Sequence, residues 1–305
     1  MMTYQTLSAQ PRAFLAMTGL TTAEFRGLLP AFETAYERAY PRDRTAAGQP
    51  RQWWQWGGRP SALRRSADKL LFVLVYLKTY PLQVVLGQLF GLSASQANYW
   101  LHHLLPVLRS ALDDLGVLPE RDGGRLARRP GSTEGARVFI IDGTERRRQR
   151  PRNAEKQALH YSGKKRAHTD KNVLVASAGN ERILFLSGTY PGTAHDKRIA
   201  DEEHLTYPPG TTLYKDTGFQ GHEPPVEKTC QAKKKPRGRE PTPAERQVNR
   251  RLAKLRVRVE HAIAGIKRSR IVKEVFRNKK PGLSDAAMEV ACGLHNLRVN
   301  HRKGR

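Results

Sequence analysis

Apolar positions near the start of the chain recur at helical spacing, with Leu20, Phe25, Leu28, Leu29, Phe32 and Tyr36 on one face, so the region up to about residue 40 reads as helical. A stretch rich in Pro, Gly, Arg and Trp follows (41–60). Its Trp53, Trp54 and Trp56 stand among Arg51 and Arg59, where they either stack on bases or pack against their own domain. Helical periodicity returns over 61–115, with Leu70, Leu71, Leu74 and Leu77 as one stripe. Within it, an apolar segment ending at Phe90 is followed by a Gly91-Leu92-Ser93 turn and a second helix running from Ser93. Helix, short glycine turn, serine cap, helix is the pattern of a helix-turn-helix, with an ordinary pair of antiparallel helices as the alternative. In a helix-turn-helix the second helix enters the major groove, which makes Ser95, Gln96, Asn98 and Tyr99 the expected base contacts.

Beyond residue 118 the pattern changes. Residues 119–136 are polar and glycine-rich and read as a linker. Short apolar runs then predict strands at 138–141, 160–161, 172–177, 182–187 and 212–215. A basic turn joins the second and third of them. Its Lys164, Lys165 and Arg166, with His168, read as a grip on phosphate, or else as a plain solvated turn. The segment 228–239 reads as a charged loop. Thr242, Pro243 and Glu245 then form a capping box opening a helix expected to run to about Ile271. A last helix is expected over about 284–300. Strands followed by helices give an α/β or α+β domain over 137–305, preceded by an all-α domain over 1–118.

Charge narrows the function. Fifty-four Lys and Arg against 28 Asp and Glu leave a net +26, the balance of a protein that meets a polyanion, and nucleic acid is the commonest one. Between residues 228 and 280 alone, 19 basic residues stand against four acidic ones. Two cysteines, Cys230 and Cys292, are too few for a disulfide framework or zinc-ligand spacing. The first ten residues lack a secretory pattern, and the longest apolar run, 70–77, is far short of the roughly 20 residues a membrane span needs. A soluble, cytosolic protein without membrane contact is expected.

Against this basic background three acids stand out. Asp142 ends the first predicted strand, Asp216 ends the strand at 212–215, and Glu260 lies within the basic helix between Val259 and His261. A carboxylate at the tip of a central strand is costly to bury unless a cation compensates. Oxygen ligands without a His or Cys cluster suit Mg²⁺ or Mn²⁺, and two such ions can activate the attacking oxygen and stabilise the leaving one in phosphoryl transfer.

The motifs Ile140-Ile141-Asp142-Gly143-Thr144-Glu145, Tyr161 through Lys171, Pro191 through Asp196, Lys215-Asp216-Thr217-Gly218-Phe219, and Arg256 through Glu260 to Lys267 occur in an order that resembles the DDE transposases of bacterial insertion sequences. The likeness is to the insertion sequence five group, related to Harbinger-type elements. It covers roughly 60–300, including the helix-turn-helix. What it implies is a ribonuclease H-like catalytic domain, a mixed sheet flanked by helices, with Asp142, Asp216 and Glu260 as catalytic metal ligands for two Mg²⁺ or Mn²⁺ ions. Asp216 and Glu260 lie 44 positions apart, which leaves no room for a large β insertion. Arg256 and Lys267 fall where the family grips DNA, Lys267 resembling a position that contacts the transposon end. Ala253 stands where the family's signature has a Tyr.

His195 and Asp196 match a pair often present in the family. Asp196 reads as a helix cap fixing its loop, with a fourth carboxylate near the metals as the alternative. The implied activity is cleavage at terminal inverted repeats and strand transfer into target DNA, by a protein that dimerises at least on DNA. A domesticated DNA-binding regulator and a stand-alone metal-dependent nuclease are the alternatives on the same fold.

Overall fold

The structure, a computed structural model, describes residues 1–41, 49–50, 62–128, 137–232 and 242–303. Trp53, Trp54 and Trp56 lie outside them. The chain divides into two compact units. One comprises residues 1–118 with 268–271 and 300–305, and the other 119–267 with 272–299.

Among its described residues the first unit is built of helices: α1 (Tyr4–Ser8), α2 (Pro11–Thr18), α3 (Thr22–Ala39), α4 (Ser66–Thr79), α5 (Gln83–Phe90) and α6 (Ala94–Asp114). Every residue of α4 from Lys69 to Leu77 is buried. The apolar run in the sequence is therefore a buried helix and not a surface one. Among the described residues no helix is long and apolar enough to cross a membrane. The starts of α3 and α6 are fixed by reciprocal caps, Thr21 with Glu24 and Ser93 with Gln96. Gly91, at φ 68°, ends α5 in the left-handed conformation that glycine adopts without strain. Gly87 is the tighter feature, because a Cβ there would stand 2.4 Å from the Leu92 carbonyl oxygen. That glycine lets the turn fold back onto α5. Late segments of the chain complete the unit: Lys78 Nζ donates to the Arg268 carbonyl at 3.1 Å, and His301 lies against Gly27.

The second unit is built on a sheet with the order β2-β3-β1-β6-β7, and β4 and β5 also pair with β3. Its strands are β1 (Val138–Arg147), β2 (Tyr161–Ser162), β3 (Ala167–Ser177), β4 (Ile183–Leu186), β5 (Tyr190–Pro191), β6 (Thr212–Lys215) and β7 (Lys228–Gln231). β1 runs antiparallel to β3 and parallel to β6, and β6 runs parallel to β7. The helices are α7 (Ala154–His160), α8 (Asp196–Glu202), α9 (Pro243–Ile266), α10 (Arg270–Lys273) and α11 (Leu283–Lys303). This mixed sheet with flanking helices is a ribonuclease H-like α/β fold.

One face of the sheet is a core of Phe139, Ile141, Val173, Val175 and Leu213, closed by Ile199 and Ala200 of α8. Asn296 of α11 completes β4 as a strand would, accepting from the Ile183 N–H and donating to its carbonyl, both at 2.8 Å.

Several boundaries differ from expectation. His160 closes α7 and is not in a strand. The helix opened at Pro243 ends at Ile266, short of Ile271. The start of the expected linker is not a spacer: Glu120 bridges to Phe185, and a 3₁₀ turn, Gly123–Arg128, buries Leu126 in the sheet's core. The segment read as a charged loop carries β7, whose polar Lys-Thr-Cys-Gln sequence has no apolar alternation to announce it.

Candidate active site

Parallel pairing of β1 with β6 sets Ile141 opposite Lys215. One residue further along, Asp142 and Asp216 stand at the same level on adjacent strands, about 4.8 Å apart in the pairing direction. Ile141 points into the core with Leu213, so the alternation of strand side chains turns both aspartates to the opposite face. Each is half-buried and anchored by the residue that follows it. Gly143 N–H donates to Asp142 Oδ1 at 2.8 Å, and Thr217 N–H to Asp216 Oδ1 at 2.7 Å. Gln231, from the unanticipated β7, donates its amide to the Asp216 carbonyl at 2.6 Å and steadies that strand end.

Positive charge gathers beside Asp142. Lys267, half-buried just beyond the end of α9, has its ammonium held below the usual lysine range by burial; Lys165 pushes it the same way, while Asp142 and, more weakly, Glu145 draw it back up. Lys267 and Lys165 of the basic turn therefore meet in the field of Asp142. Within that turn Lys164, Lys165 and Arg166 are all exposed, with Arg166 at φ 47°. A phosphodiester drawn to these lysines would lie against Asp142.

Glu260 is less closely placed. It is exposed on α9, seven residues before Lys267, which is roughly 10 Å of helix. Among the described residues no three of Asp, Glu, His and Cys converge on one point as metal ligands would. The Asp142–Asp216 pair by itself offers the hard oxygen donors that a divalent cation takes. Arg256 lies in α9 with its side chain outside the described set.

His195 and Asp196 differ from the expected capping role. His195 is the exposed N-cap of α8, without a side-chain bond, and Asp196 is the first helical residue. The Asp196 carboxylate lies between Gly143 and Gly218, the glycines that follow Asp142 and Asp216 in the chain. Lys171 reaches it at 3.3 Å and Glu145 at 3.6 Å. Lys171 and Glu145 carry no sequence signal of this role, because the contact that joins them to Asp196 is made only in the fold.

Behind β1 a buried polar network holds the sheet to α11. Arg146 donates to Asn172 Oδ1 at 2.7 Å and to the Ser284 carbonyl at 2.8 Å, and Ser284 Oγ donates to Asp170 Oδ2 at 2.8 Å. Asp170 also pairs with Arg148 at 2.8 Å and with His160 at 3.2 Å. A charge as deeply buried as Arg146 is tolerated only with such partners.

In the helical unit, the four expected base contacts divide. Gln96 is engaged in the cap of α6, its Oε1 accepting from the Ser93 N–H at 2.9 Å. Asn98 donates to Gln83 Oε1 at 3.1 Å and ties α6 to α5. Ser95 is exposed, and so is Tyr99, whose ring lies 3.8 Å from that of His103. Ser95 and Tyr99 are exposed without an engagement in the α6 cap or with α5, and Gln96 is exposed while bonded in the cap.

Residues 141–296 match the DDE superfamily endonuclease family, and residues 62–114 match the helix-turn-helix of DDE superfamily endonuclease. The chain is also similar to a probable transposase for insertion sequence element IS702 from Microchaete diplosiphon, 27% identical over 230 residues, which are 73% of this chain and 76% of that protein. No solved structure matches it.

Proposed function

This chain belongs to the DDE superfamily endonucleases and is a DNA-binding, DNA-cleaving transposase, and from that premise we propose that it cuts an element at its terminal inverted repeats and joins the freed ends to target DNA. The observation that carries the reading is the pairing of Asp142 and Asp216 on adjacent strand ends, with Lys267 in the field of Asp142.

The family is divalent-metal dependent. Asp142 and Asp216, with Glu260 from α9, would hold Mg²⁺ or Mn²⁺, two ions in the full site. Such ions activate the attacking oxygen and stabilise the departing one. The protein's own side chains do the rest. Lys165 and Lys267 bind the scissile phosphodiester, and its negative charge returns to Lys267 the proton affinity that burial takes away. The Asp142 and Asp216 backbones are fixed before DNA arrives, so little reorganisation accompanies the reaction. Water first attacks phosphorus and releases a 3′-hydroxyl. That hydroxyl then attacks a target phosphodiester at the same site, so the number of phosphodiester bonds is conserved in the joining step.

Ser95 and Tyr99 of α6 would face base edges, and Lys164, Lys165, Arg166 and Arg256 the backbone. Bringing two ends together calls for two copies of the chain on DNA. The work belongs at the bacterial nucleoid.

The test is incubation of the full chain with a labelled terminal repeat and Mg²⁺ or Mn²⁺, beside Asp142→Ala. Substitution should lower cleavage by at least about 10²–10³-fold, the scale of losing one electrostatic stabiliser, while leaving binding of the uncut repeat intact. Cleavage unchanged by Asp142→Ala would overturn the site. An intact chain that neither nicks nor joins under any metal would overturn the enzyme reading.

A further inference from the structure

Gly143 and Gly218 each follow a catalytic aspartate closely in sequence, and neither has a positive φ. Their backbones therefore do not require glycine. What requires it is space. A Cβ on Gly143 would stand 2.6 Å from Asp196 Oδ1 and 2.8 Å from its Cγ, and a Cβ on Gly218 would stand 3.1 Å from Asp196 Oδ2. One carboxylate thus fills the side-chain room of two glycines on two different segments.

That carboxylate is held at some cost. Its Oδ1 is buried, where a charge needs a counter-charge. The Lys171 ammonium, 3.3 Å away, balances it. Lys171 in turn sits 3.6 Å from Glu145, its cross-strand partner on β1, and donates to the Ala194 carbonyl at 2.7 Å, just before α8. α8, β3 and β1 are braced together through these side chains.

We propose that Asp196 is a positioning residue: seated against Gly143 and Gly218 and braced by Lys171, it sets the spacing of the strand ends that present Asp142 and Asp216. It acts through the shape of the planar side-chain head, and the two aspartates do the ligation. The inference rests on the reading of Asp142 and Asp216 as metal ligands. It adds that the first turn of α8 is the gauge that holds them apart.

The experiment uses the full chain and Mn²⁺, followed two ways: by the rise in melting temperature on titrating the ion, and by cleavage of a labelled repeat. Asp196→Ala should raise the half-saturating Mn²⁺ by about tenfold or more in both titrations, the usual cost of losing a support behind metal ligands. Affinity for uncut DNA should not change. Asp196→Asn, which keeps the shape, should bring half-saturation back close to the intact value. Gly143→Ala should lower the melting temperature in the absence of metal, and adding Asp196→Gly should restore it.

Half-saturation unmoved by Asp196→Ala would overturn the proposal. So would an Asn variant as impaired as the Ala variant, since the carboxylate would then act as a ligand. An intact chain whose melting point ignores Mn²⁺ would overturn it as well. If the chain binds Mn²⁺ but never cuts DNA, the functional reading fails on its own, and the melting titration still decides the role of Asp196.

Discussion

His160 illustrates how one side chain is set by its surroundings. Burial, and after it the Arg148 guanidinium, hold its ring below the usual histidine range, against a weaker pull upward from Asp170. The neutral ring is therefore favoured in the fold, and the unfolded chain binds more protons in the window below about 6.5. Stability from this group is present above that value and is lost as pH falls through the window. Melting measured at pH 7.5 and 5.5 should show a drop that His160→Gln makes shallower, and an unchanged slope would exclude His160 as its source. The aspartates were legible in the sequence because an acid ending an apolar run is unusual. The role of Gly143 and Gly218 was not legible, because what fills their vacant space is Asp196, which lies far from both in the chain.

Several elements announced by apolar periodicity or caps have the bounds their pattern predicts, although α9 stops short of Ile271. The strand at Thr212–Lys215 and the Ser93 cap of α6 are cases in point. Elements defined by partners do not. β7 is polar and exists because β6 offers it an edge, and the short α7 has no buried residue to give it a stripe. Glu260 was legible as a helical acid, but its distance from the aspartates depends on how α9 lies on β1, which spacing alone does not fix. The helix-turn-helix carries a sharper consequence of close packing. Since Gly87 faces the Leu92 carbonyl at 2.4 Å, and backbone cannot step aside, Gly87→Ala should destabilise the helical unit by about 1–3 kcal/mol. Calorimetry should register this as a melting point lower by several degrees, and binding of the repeat should weaken with it. A variant that melts like the intact chain would show that the turn can relax.

At the scale of the whole molecule, the net charge of +26 governs association with DNA. Each phosphate contact contributes about 0.9 to the slope of log affinity against log salt. Replacing Lys164, Lys165 and Arg166 together with Ala should therefore reduce that slope by about 2–3, if each holds one phosphate, with little change in preference among sequences. A slope that does not move would mean the turn is merely solvated.

The helical unit is interrupted in the chain: residues 1–118 are joined there by 268–271 and 300–305. Synthesis gives this arrangement a direction in time. The ribosome delivers helices α1 to α6 early, yet the groups that lean on Lys78 and Gly27 are translated only after most of the α/β portion. The α/β portion is translated in between and has its own core to collapse around. The helical unit is thus begun before the α/β portion and completed after it. Chains arrested at increasing lengths and probed with protease should show residues 1–118 reaching full resistance only once His301 has left the exit tunnel.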